Sequence, residues 1–137
     1  MMQLNTYLFF DGECKAAFKF YEQCLGGKID EMMTYGDAPL SEEIPSEQRD
    51  RIIHANLTVG GMVLMGSDTL PDDFKKPQGF AVHLEFDELV EAERIFQKLA
   101  ENGTVNMPFQ ETFWSTGFGL LVDRFGTPWM INVQPAT

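Results

Sequence analysis

The stretch LNTYLFFDGECKAAFKFYEQCLGG, Leu4 to Gly27, returns in plan as FAVHLEFDELVEAERIFQKLAENG, Phe80 to Gly103. Each copy runs from an apolar strand-like segment through an acidic turn into a helical segment that stops at glycine. In the first copy Leu4–Phe10 has strand character and Asp11-Gly12 ends it. Cys14, Ala17, Phe18, Tyr21, Cys24 and Leu25 then fall on one helical stripe, with Lys15, Lys19, Glu22 and Gln23 mostly off it. Gly26-Gly27 supplies the positive-φ stop. In the second copy Val82, Leu84 and Phe86 alternate with Ala81, His83 and Glu85, so the first set faces a helix and the second faces away. Asp87 is the expected N-cap, with Glu88 and Glu91 in the first turn. Leu89, Ala92, Ile95, Phe96 and Leu99 make the buried stripe, and Gly103 closes the helix.

Strand-like sequence follows each copy. After the first, Lys28–Tyr35 is a short strand and Gly36–Asp50 is an acidic, mobile loop with two prolines. Arg51–Val59 alternates, Ile53, Ala55, Leu57 and Val59 one way and His54, Asn56 and Thr58 the other. Gly60-Gly61 is a hairpin signal returning through Met62–Met65, and Gly66–Gly79 joins the modules. After the second copy, Thr104–Met107 is a strand ending before Pro108, and Gly117–Asp123 and Pro128–Val133 are the last two. The pattern predicts an α+β fold of two tandem βαβββ modules, about 1–68 and 78–137 of one domain spanning 1–137. Each helix covers one side of a curved, mixed sheet. The two cups are expected to pack into a closed sheet around an internal cavity.

A chain of 137 residues with 12 Phe and 8 Met has the apolar material for one core. Its net charge of -11 repels phosphate backbones and anionic lipid, which argues against nucleic acid and membrane surfaces as partners. No run reaches the roughly 18 apolar residues of a spanning helix and no secretory signal pattern opens the chain, so a cytoplasmic location is expected. Cys14 and Cys24 share the first helix; at about 1.5 Å rise per residue their Cα atoms lie roughly 15 Å apart, too far for a disulfide.

Four motifs resemble the PhnB-like branch of the glyoxalase/bleomycin-resistance/extradiol-dioxygenase (vicinal oxygen chelate) superfamily. They are FFDG-x4-AFKFYEQCLGG (Phe9 to Gly27), HANLTVGGMVLMGSD (His54 to Asp68), MPFQETFW (Met107 to Trp114) and DRFGTPWMINV (Asp123 to Val133). The resemblance implies the paired βαβββ fold reached from the repeat. It also implies a divalent metal in the cup, held by His, Gln or Glu from the first and last strands of the modules. The matching positions fall near Asn5 or Thr6, near Leu64–Met65, near Ala81 and at Met130. That set lacks the carboxylate and imidazole donors such a metal requires, so no cofactor is expected.

The candidate ligand-binding residues are His54, Asn56, His83, Glu85, Trp114 and Met130. His54 and His83 are the chain's two imidazoles; with Glu85 they would form a non-standard divalent-metal site or an acid/base pair, His54 being the candidate catalytic residue. Trp114 and Trp129, with Phe113, Phe118 and Phe125, would stack on a flat ligand, fill the core or line an intermodule or dimer seam, and Gln110–Trp114 is the expected lid. Asp123-Arg124 is expected to fix the last hairpin by an ion pair. The expected function is metal-independent binding of a small hydrophobic or aromatic metabolite by a homodimer. The alternative is a divalent-metal-dependent lyase or dioxygenase-like enzyme using His54, His83 and Glu85. A methyltransferase label sometimes attached to relatives is set aside, because no glycine-rich loop joins a strand to a helix. A purely structural dimerisation module would instead show a pocket filled by side chains.

Overall fold

The structure, a computed structural model, describes residues 1–39 and 41–134. It divides into two compact units, Met1–Lys75 and Lys76–Thr137. The first contains β1 (Thr6–Phe10), α1 (Cys14–Leu25), β2 (Lys28–Thr34), β3 (Ile52–Val59) and β4 (Met62–Asp68). The second contains β5 (Val82–Phe86), α2 (Leu89–Ala100), β6 (Thr104–Gln110), β7 (Gly117–Val122) and β8 (Pro128–Val133). The strand orders match, β1-β4-β3-β2 and β5-β8-β7-β6. In each, the first and last strands run parallel and the others antiparallel. The duplicated βαβββ plan is therefore present. Its ladders form two four-stranded sheets, one per unit, and not one closed sheet.

Each helix buries the stripe its spacing dictates. On α1 these are Cys14, Ala17, Phe18, Tyr21 and Cys24, set against Leu8, Phe10, Ile52, Leu57 and Leu64. On α2 they are Ala92, Ile95, Phe96 and Leu99, set against Leu121, Trp129, Ile131 and Val133. Each large apolar side chain so buried contributes about 1.5–3 kcal/mol. Leu89 is 47% exposed, because it sits at the first turn beyond the edge of the stripe.

Gly26 stops α1 with φ +74° and its N–H donates to Glu22 O. The end of α2 departs from expectation. Asn102 takes the left-handed conformation, φ +60°, while Gly103 is needed for closeness: a Cβ there would lie 2.4 Å from Val122 O. The start of α2 also shifts. Glu88 and not Asp87 occupies the N-cap, and its side chain makes no capping bond.

Three strand boundaries move for identifiable reasons. Ile53 was expected inward, but Met33 pairs with His54 and Thr34 with Ile52, so Ile53 is the extra residue of a bulge and Ile52 turns into the core. β6 runs on through Pro108 to Gln110; it is an edge strand carrying two register shifts, where a missing N–H is tolerated. β4 extends to Asp68, three residues into the expected connector. The acidic segment after β2 holds short 3-10 turns at Tyr35–Asp37, Ser41–Glu43 and Ser46–Gln48. Among the described residues no helix is long and apolar enough to cross a membrane.

Asp68 explains why β4 continues. It is 1% exposed, and its Oδ1 accepts from Gly12 N at 2.9 Å and Cys14 N at 3.0 Å. Its Oδ2 accepts from Ile52 N at 2.9 Å, and its carbonyl accepts from the Tyr35 hydroxyl at 2.8 Å. Burial and then the Asp68 charge push the Cys14 thiol well above its ordinary value. They raise the Tyr35 hydroxyl in the same order. An Asp68→Ala substitution strands the buried Cys14 and Ile52 N–H groups, each costing about 1–3 kcal/mol. We expect a loss of about 3 kcal/mol or more in urea unfolding; a loss under about 1 kcal/mol would contradict this account.

Candidate functional site

In each unit the side of the sheet away from the helix carries the candidate residues. In the first unit, strand pairing sets Tyr7 beside Met65 and Met65 beside Asn56, with His54 one step along the same side of β3. His54 is half-buried, and its Nδ1 lies 3.3 Å from the Tyr7 hydroxyl. Tyr7 packs on Phe9 with ring centroids 5.1 Å apart. Asn56 Oδ1 is buried and has no hydrogen-bond partner. The Thr58 hydroxyl donates to Asp30 across the neighbouring strand.

In the second unit two rows cross the sheet. One runs Leu120, Met130, His83 and the other Phe118, Asn132, Glu85. Glu85 Oε2 accepts from Gln134 Nε2 at 2.8 Å and Oε1 from Asn132 Nδ2 at 3.1 Å. Those bonds, Gln134 first, hold the Glu85 carboxyl below the usual carboxylate range, and His83 lowers it further. Since a carboxylate only accepts, Glu85 fixes Asn132 with its amide nitrogen inward to the bond. The amide oxygen is then left buried and unpartnered. Beside this row the Trp114 ring meets Phe118 edge-on at 5.3 Å, and Phe113 meets Trp114 at 4.7 Å. Trp114 is 45% exposed.

With this geometry in place, the chain can be set beside known proteins. The sequence pattern of the 3-demethylubiquinone-9 3-methyltransferase family matches residues 2–132. The chain belongs to this family. It is 39% identical to Protein YjdN of Escherichia coli over 140 residues, covering 96% of this chain and 95% of that one. The crystal structure of PA1353 from Pseudomonas aeruginosa is 42% identical, with a TM-score of 0.90 over 98% of both chains. The PhnB protein from Bacillus cereus is 25% identical, with a TM-score of 0.81 over 96% of this chain and 99% of that one. FosX from Listeria monocytogenes, only 6% identical, superposes with a TM-score of 0.66 over 98% of this chain and 94% of that one. The fold is that of the glyoxalase/bleomycin-resistance superfamily.

Within this family fold, the second unit gathers His83, Glu85 and Met130 on one sheet side, with Trp114 at its margin against Phe118. The first gathers His54 and Asn56. His83 is exposed. At the end of the Gln110–Trp114 segment Thr112 N donates to Ser115 O, and buried Ser115 Oγ lies 2.6 Å from Gly117 O and 2.8 Å from Val133 O, while Phe113 and Trp114 are exposed. Trp129 is core, 1% exposed, with Nε1 donating to Asp123 Oδ2. Asp123 fixes the last hairpin by accepting from Phe125 N and Thr127 N, and Arg124 reaches Glu101. Sequence reasoning missed Tyr7, Asn132 and Gln134. Tyr7 lay within the apolar run Leu4–Phe10, and the parallel pairing of β1 with β4 brings it within reach of His54.

The divalent metal implied by the superfamily does not fit these residues. The positions in question, Asn5 or Thr6, Leu64–Met65, Ala81 and Met130, offer an amide or a hydroxyl and otherwise apolar side chains. Glu85 already accepts two amide bonds. Among the described residues, no three His, Cys, Asp or Glu side chains form a group that would hold an ion.

A Gln134→Ala substitution removes the bond that most lowers Glu85. A folded value below the unfolded one means the contribution is complete above the ordinary carboxylate range and is lost as pH falls through the lowered value. Carboxyl NMR titration of the variant is expected to show Glu85 moving up toward its ordinary value. An unmoved midpoint would mean these amides do not hold the charge.

Proposed function

We propose that this protein binds a small, flat, hydrophobic or aromatic metabolite without a metal, and that it does so as a cytoplasmic homodimer. One observation carries the reading: the aromatic pair Trp114 and Phe118 stands next to the polar row of Asn132 and the exposed Glu85. Aromatic walls beside a few oriented polar groups are the usual makeup of a small-molecule site. A stacked ring recovers apolar area, and a ligand N–H or O–H donates to the exposed Glu85 carboxylate of the same row.

The family's description names a methyl transfer. Each unit here has one parallel strand pair and a single helix, unlike the doubly wound parallel sheet that holds nucleotide cofactors at its switch point. Binding is the chemistry these faces suit. In the first unit, taken by itself, His54 and Tyr7 form a separate polar pair.

Naphthol is a suitable neutral probe. We expect saturable binding by calorimetry, unchanged by EDTA, with Trp114→Ala weakening it about twofold to tenfold, the worth of one aromatic contact. A requirement for added divalent cation, or a Trp114→Ala protein that binds equally well, would overturn the reading.

A further inference from the structure

We infer that Asn102-Gly103 is a self-modification site: the backbone cyclises there and the asparagine becomes aspartate or isoaspartate, at a rate set by opening of the turn that closes α2.

Two structural demands bring this pair together. Glu101, with φ -57° and ψ 125°, and Asn102, with φ +60°, are the central residues of a turn. Gly103 N closes it by donating to Ala100 O at 2.9 Å. These angles are those of a type II turn, whose second central position takes glycine or asparagine. The next residue has no room for a side chain, since a Cβ on Gly103 would lie 2.4 Å from Val122 O. The result is Asn-Gly, a pair that occurs once in the chain.

The same pair is chemically labile, because no side chain on glycine shields its amide nitrogen. Base takes the proton from Gly103 N, the nitrogen attacks Asn102 Cγ, and the bond from Cγ to the side-chain nitrogen breaks. Ammonia leaves with a proton, and a cyclic imide remains. Water then opens the imide at either carbonyl, giving aspartate or isoaspartate. Both residues are exposed, so water and base reach them.

The folded turn opposes the first step in two ways. Ala100 O holds the proton that must leave. The second central residue of a type II turn also has a ψ of about 0°. On a tetrahedral Cα that angle keeps Cβ well away from the Gly103 nitrogen, whereas ring closure needs the two nearly eclipsed. The turn therefore opens before the ring closes. Arg124 Nε, donating to Glu101 O at 3.2 Å, resists that opening.

Peptide mapping by mass spectrometry follows the conversion in the full chain at mildly alkaline pH, folded and in concentrated urea. In urea Asn102 is expected to convert well ahead of Asn5, Asn56, Asn106 and Asn132, which precede Thr6, Leu57, Met107 and Val133. In the folded protein its conversion should be about tenfold slower or more, the worth of the turn bond that must break first. Amide exchange at Gly103 measures the opening independently and should show protection of similar size. Arg124→Ala should speed conversion about fivefold in the folded protein and leave the rate in urea unchanged. If Asn102 converts no faster than the other four asparagines in urea, the site is overturned. Equal folded and unfolded rates, or slowing unmatched by Gly103 protection, overturn the turn's control of it. So does a folded Arg124→Ala protein that converts at the parent rate; should that variant not fold, the Gly103 comparison decides alone.

Discussion

A single buried carboxylate organises each unit. Asp68 gathers the N–H groups that open α1 and the one that opens β3, so one side chain aligns three chain segments at one end of the first sheet. Burying an ionised group is costly unless every lone pair finds a donor, and here three backbone donors converge on it. Asp123 plays the corresponding part in the second unit. It accepts from Phe125 N, Thr127 N and the Trp129 indole, which ties the last hairpin to the core. Helix packing then rests on sheets whose ends are already fixed.

These anchors leave one side of each sheet to other purposes. The helix sides are filled with Phe18, Tyr21, Phe96, Trp129 and their neighbours. The opposite sides hold His54 with Tyr7 in one unit and Glu85 with Asn132 and Gln134 in the other. The sides away from the helices mix apolar Met65, Leu120 and Met130 with polar groups, of which Asn56 and Asn132 each bury an amide oxygen without a partner.

The repeat made the architecture legible, since the helical stripes and the Gly26 stop follow from spacing alone. Details that depend on neighbouring strands were hidden. Ile53 had the alternation of an inward residue, but a bulge set by the pairing of β2 with β3 turned Ile52 inward. Asp68 looked like the start of a linker because its three donors come from residues distant in sequence. Of the site, alternation showed the faces holding His54, Asn56, His83 and Glu85. It could not show Gln134 reaching Glu85, because that contact depends on β5 lying parallel to β8.

Pro108 has an effect beyond its own strand. β6 is one of the two outer strands of its sheet, and such borders are where chains template one another into fibrils. A proline, which lacks the amide hydrogen, and two interruptions of register leave this border ragged. A foreign strand arriving there finds a broken ladder, so this border of the second sheet is guarded against growing sideways into aggregates.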